Sequence, residues 1–185
     1  MKLILEKWNS FLKEDMKMPK DLPTGWYVEI IGDLSFVNIS IMDDKDSIIG
    51  SLTMRRVQNF LEVVGVEAES GWGPLLYDLS MEVVNQFEDH GLIPDRTSVS
   101  KEARAVWEHY FKYRSDVEAT PLPKDILAFD GKGYTAKRID SYEKSSPLSF
   151  SYRKKTGSPF MSELSKSGQL YADDYSFNVQ ENLYK

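Results

Sequence analysis

The sequence predicts an α+β domain, built on a mixed, mostly antiparallel sheet flanked by helices, with an amphipathic helix ahead of it. Three observations carry this expectation. From Trp26 to Glu69, apolar and polar residues alternate with the period of strands, in four runs whose links are too short for a parallel crossover. After Pro74 and again after Ser100 the period lengthens to that of helices, with the strand-like GLIP between them. A length of 185 residues with 41% hydrophobic content is enough for one core of ordinary size.

Taken in order, residues 2–14, KLILEKWNSFLKE, place Leu5, Trp8 and Leu12 on one helical face, widened by Leu3, Ile4 and Phe11. The following DMKMPKDLPTG, with two prolines and a glycine, reads as a linker. The domain plan is therefore an N-terminal helix and linker at 1–22, a body at 23–160 and a C-terminal tail at 161–185, with a short helix at FMSELSKS. WYVEIIG, LSFVNISIMDD, SIIGSLTMRRV and FLEVVGVEAE form an antiparallel meander, with DDKDS turning between the second and third. Leu75, Leu76, Leu79, Val83, Val84 and Phe87 then share one helical face, and Gly91 is expected to end that helix. Ser100 caps a second helix with Glu102 in its first turn and Ala103, Val106, Trp107, Tyr110 and Phe111 as its stripe. ILAF and YTAKRI flank the turn DGKG, and LSFSYRKK supplies a further strand.

Composition removes several function classes. Without cysteine there is no disulfide, thiolate metal site or cysteine nucleophile, and no apolar run reaches the roughly 18–20 residues of a membrane span. The N-terminus has no uninterrupted secretory core. A net charge of -6 argues against general affinity for nucleic acid. Between Gly131 and Thr156 seven basic residues face only Asp140 and Glu143, a local excess of +5 that leaves -11 elsewhere. That run is either a solvated basic hairpin or a face for an anionic ligand. His90 and His109 lack the spacing of a helical metal pair, and there is no P-loop, serine elbow or strand-first G-x-G-x-x-G.

The chemistry centres on EAESGWGPLLYDLSMEVV, residues 67–84. A glycine pair opening a helix is either a packing turn or a cradle where unsatisfied amides and the dipole meet an anion. Pro74 suits a first helical turn but removes one amide donor. Trp72, between the glycines, is expected to be partly exposed, where it would stack on a flat ligand or partner. Asp95 and Arg96 either pair with each other or fix the start of the second helix.

This element order, with the glycine pair between the fourth strand and the next helix, resembles the GNAT fold of acyl-CoA-dependent N-acyltransferases over residues 26 to 150. The resemblance implies acetyl-CoA as cofactor, bound around Gly71, Trp72, Gly73, Leu75 and Ser100, and a small-molecule or protein amine as acceptor. Gly71, Gly73 and Leu76 match the family's loop, while Ala68 stands where the family has Gln or Arg. In the second helix Ser100, Ala103 and Trp107 occupy the positions of the family's Asn, Ala and acidic Tyr. Indole cannot donate that proton, so Tyr110, one turn on, is the substitute acid, and Glu62, Glu67 or Glu69 is the general base.

A more specific wording, GWGPLLYDLSMEVV with PDRTSVSKEARAVWEHYF, resembles GNAT-like proteins of tailed bacteriophages and includes Pro74, Asp95, Arg96, Ser98, Ser100 and Trp107. MKLILEKWNSFLKED is similar to leader peptides of internal phage proteins, which a prohead protease cuts after Leu or Ile, any residue, Glu; Ile4–Glu6 and Leu12–Glu14 match. Two functions are implied: a phage-encoded acetyl-CoA-dependent N-acetyltransferase, or a non-catalytic, virion-associated or packaged protein on the same fold. Phage structural proteins and the protease would then be partners, with neither membrane nor general nucleic-acid binding, and the protein would reside in the virion interior or the host cytoplasm.

Overall fold

The computed structural model describes residues 16–33, 35–86, 91–95, 99–123, 126, 128–129, 134–135 and 145–172. The helix expected at 2–14 and both leader tripeptides lie outside these residues. The four alternating runs become β1 (Tyr27–Gly32), β2 (Phe36–Met42), β3 (Ile48–Val57) and β4 (Phe60–Ala68). They are followed by α1 (Gly73–Val84), β5 (Gly91–Ile93), α2 (Lys101–Tyr113) and β6 (Val117–Pro121). The chain continues through β7 (Ala128–Phe129), β8 (Tyr134–Thr135), β9 (Phe150–Lys154), α3 (Pro159–Ser167) and β10 (Leu170–Ala172).

β1 to β4 form the expected meander, and Asp43 sets the turn between β2 and β3 by accepting from the amides of Lys45 and Ser47. The main sheet runs β10-β1-β2-β3-β4-β5-β9-β6 and is antiparallel except at β4–β5 and β1–β10; β7 and β8 pair separately. One face of the sheet is apolar, through Val28, Ile30, Ile39, Leu52, Leu61 and Tyr152, and α1, α2 and α3 all pack into the core on it. On the other face Thr53 donates to Asn38, which donates to Ser40, and a small cluster gathers Val57, Ile93 and Ile126.

Several expectations need correction. α1 has no solvent stripe: every residue from Pro74 to Val84 is buried, including Asp78 and Glu82. The helix ends at Val84 with Asn85 as its cap, and Phe87 lies outside the described residues. Gly91 instead opens β5, where a Cβ would come within 2.7 Å of the Ser151 Cβ, so glycine is needed for strand approach and not for a helix stop. The boundary expected at 160 falls inside α3, whose Met161 and Leu164 are fully buried and which delivers β10 to the edge of β1. Within the basic run, Lys154 is not solvated: its ammonium is buried, 2.9 Å from Asp78 and 3.1 Å from Asp116.

Candidate functional site

The site is created by strands that part company. β4 and β5 pair in parallel at only three positions, ending at Glu62↔Ile93, while β4 runs on to Ala68 with no described strand on that side. Just past the fork, the β3–β4 register shifts between Thr53↔Gly65 and Met54↔Val63, leaving Val64 as an extra residue that increases the local twist. The gap is walled by β4 and α2, with the N-terminus of α1 at its outer end. An outer hollow of about 240 Å³ meets Ala68, Glu69, Gly73, Pro74, Glu102 and Val106. An inner one of about 280 Å³ meets Val63, Gly65, Asp95, Val99 and Trp107. Val66, Tyr77, Ser100 and Ala103 line both, which makes them one cleft.

At its outer end the glycine loop is a defined turn. Gly71 has φ +89, the left-handed region where side chains are costly, and the Trp72 amide donates to the Glu69 carbonyl at 3.2 Å. The Trp72 amide is therefore already used. Gly73 and Leu75 occupy the first turn of α1, where a helix offers its amides no acceptor, and Pro74 between them has no N–H to give. A Cβ on Gly73 would meet nothing within 4 Å among the described residues, so the space beside its Cα is open.

The expectation for Trp72 is overturned. It is 1% exposed, tilted against Trp26 at 5.8 Å between ring centroids, with the Lys17 ammonium 4.6 Å from its ring. Its indole Nε1 is buried without a hydrogen-bond partner among the described residues. It cannot stack on a ligand from this position.

Ser100 caps α2, its hydroxyl accepting from the Ala103 amide at 3.1 Å, and faces the cleft from there. Trp107 is 1% exposed and packs edge-on to Tyr77 at 5.4 Å and against Tyr152 at 5.0 Å. Tyr110 does not line either hollow: it is buried, its hydroxyl donates to the Pro74 carbonyl at 3.5 Å, and burial raises its pKa well above that of an ordinary phenol. Glu67 is exposed on β4, and Glu69 borders the outer hollow. Glu62 sits at the fork itself, fully buried, with the Arg55 guanidinium 2.7 Å away.

Sequence reasoning passed over Tyr77. It lines both parts of the cleft, its hydroxyl has no partner among the described residues, and burial raises its pKa and keeps it protonated. The signal was available, because Tyr77 lies one helical turn after Gly73 and so shares its face.

Further along α1 lies a buried ionic cluster. Asp78 receives Arg114 at 2.9 Å and Lys154 at 2.9 Å, and both cations also reach Asp116. Arg114 holds the Asp116 carboxyl well below its usual range. Glu82 accepts from the amides of Phe160 and Met161 at 3.1 and 2.8 Å, capping α3, and burial pushes its carboxyl up to about 7. Among the described residues no group of acids and histidines has the arrangement of a metal site, and no helix is long and apolar enough to cross a membrane. No family model, curated protein or solved structure matches this chain.

Proposed function

We propose that the cleft between β4 and α2 binds an acyl-coenzyme thioester, and that the protein is a GNAT-like, phage-encoded N-acyltransferase using acetyl-CoA on a small or protein amine. The observation that carries this reading is the parting of β4 from β5 beyond Glu62 beside the N-terminus of α1. An unpaired strand edge offers alternating amides and carbonyls to an extended, amide-bearing arm. At its end, the Gly73 and Leu75 amides and the helix dipole favour an anion such as a pyrophosphate, with open space beside the Gly73 Cα to receive it.

In this reading the amine nitrogen attacks the thioester carbonyl, the C–S bond breaks, and the departing thiolate takes the Tyr77 proton. The proton lost by the amine passes to Glu69, the β4-side carboxylate at the mouth. Tyr110, committed to the Pro74 carbonyl, positions the start of α1 and does not act as the acid.

Calorimetry with acetyl-CoA tests the reading. Wild type is expected to bind, and Gly73→Tyr, which fills the open space with the fold unchanged by circular dichroism, is expected not to. Tyr77→Phe should lower kcat by on the order of a hundredfold with KM little changed. No heat from wild type at millimolar coenzyme would leave the second reading, a non-catalytic virion protein. The engaged Trp72 amide and the burial of Trp107 at the position of the family's acid favour that alternative.

A further inference from the structure

At the corner of the sheet where the parallel strands β1 and β10 begin lies a hollow of about 680 Å³, larger than either part of the cleft and sharing no lining residue with it. Its size suits a small ligand or a side chain of a partner. Glu29 and Tyr171 are register partners on its wall. Val28 and Ile30 belong to the core, and Leu170 and Ala172 pack against it, so Glu29 and Tyr171 face the other way, with Tyr27 beside them on β1. Tyr171 is 60% exposed, which leaves a phenol ring open next to a carboxylate. That carboxylate has no hydrogen bond or ion pair among the described residues.

The polar groups of this hollow are short of donors. Gln169 spends both hydrogens of its side-chain amide on the Pro23 and Trp26 carbonyls, at 3.2 and 3.1 Å, and has only its oxygen left for a ligand. The Tyr27 hydroxyl donates to Asp46 at 2.9 Å, and the Ser167 hydroxyl donates to the Leu164 carbonyl at 3.0 Å. What remains on these side chains, and on Glu29, is the capacity to accept. No basic side chain stands among the described walls, and the negative end of the α3 dipole adjoins them at Ser167 and Gly168. The hydrogen bond to Asp46 chiefly, with the charges of Glu29 and Asp43, raises the Tyr27 pKa above that of an ordinary phenol, as a negative field does. The walls are also held in advance, because the Gln169 carbonyl accepts from the Val28 amide at 2.8 Å and Trp26 rests on Trp72.

An occupant that fits is cationic, rich in donors, free of acceptors and flat enough to lie on the open ring. We propose that this hollow binds a guanidinium group, stacked on Tyr171 with its N–H fork on the Glu29 carboxylate. A guanidinium carries five N–H donors and no acceptor, and its plane can stack while its edge bonds a carboxylate; an ammonium has no plane to stack. The group is either an arginine side chain of a peptide or a free guanidine compound. This site does not rest on the acyl-coenzyme reading.

NMR titration of the full chain with N-acetyl-argininamide tests it, followed at the backbone amides of Glu29, Gln169 and Tyr171. These signals are expected to shift to saturation at millimolar ligand. The uncharged isostere N-acetyl-citrullinamide, or the variant Glu29→Gln, should weaken binding by on the order of tenfold. N-acetyl-lysinamide, or the variant Tyr171→Ala, should weaken it several-fold. Matched thermal melts confirm that both variants are folded, and the citrulline and lysine ligands test the same point on the wild type. No saturable shift at these amides, equal affinity for the citrulline ligand, equal or tighter binding of the lysine ligand, or unchanged affinity in Glu29→Gln would each overturn the proposal. Two further ligands separate the sources. Ethylguanidine binding as tightly as the capped arginine supports a free guanidine compound, whereas tighter binding of an arginine flanked by glycines supports a peptide.

Discussion

Asp78 and Lys154 illustrate how little a local sequence says about a charge. Within LLYDLSMEVV the acids have the spacing of a wetted helix edge, and Lys154 sits in a basic run, yet all are enclosed because α1 is covered on every side. Removing Lys154 leaves Asp78 and Asp116 to share Arg114 and takes one buried partner from each, so Lys154→Met should cost about 1–3 kcal/mol in urea unfolding. Glu82 makes a pH prediction. Its folded carboxyl titrates at about 7 against an ordinary 4.5, so the folded protein holds a proton that the unfolded chain has released. Its contribution is fully present below pH 4.5 and is lost as pH rises to 7, by about 3 kcal/mol at most. Asp116 has the opposite sign, since its lowered value makes stability fall as acid protonates it. Denaturation from pH 5 to 8 should therefore show declining stability, and Glu82→Gln should flatten that slope. By contrast, the Ser100 cap was legible in advance, because capping depends on neighbours within four positions.

Among elements, the loop before α1 separates two glycines that look alike in sequence. Gly71→Ala should destabilise by about 1–2 kcal/mol, because its positive φ penalises a Cβ, whereas Gly73→Ala should be close to neutral. Differential scanning calorimetry of the two variants checks the contrast, and equal losses would contradict it. The meander was readable from its period of two, which depends only on which face meets the core. The end of α1 was not, because Asn85 is held by its side chain's bonds to the carbonyls of Lys154 and Gly157, some 70 positions away. Of the residues singled out in sequence, Gly73 and Ser100 border the cleft, whereas the burial of Tyr110 against the Pro74 carbonyl joins positions 36 apart and follows from no spacing rule.

For the whole molecule, the α+β class followed from element order, while the segment read as a polar tail closes the fold. Its few apolar residues were too sparse to signal burial, yet Met161 and Leu164 reach the core and β10 completes the sheet. A chain ending after Gly157 should lose cooperative unfolding, because it exposes the core under α3 and leaves Glu82 without the amides it caps. The β1–β10 pairing also dictates an order of assembly. Val28 meets Leu170, a partner 142 positions downstream, so during synthesis at ~5–20 residues per second β1 waits roughly 7 to 28 s for its neighbour. Throughout that delay its outer edge is open to other strands, and the nascent polypeptide is most prone to misassociate before β10 has been made.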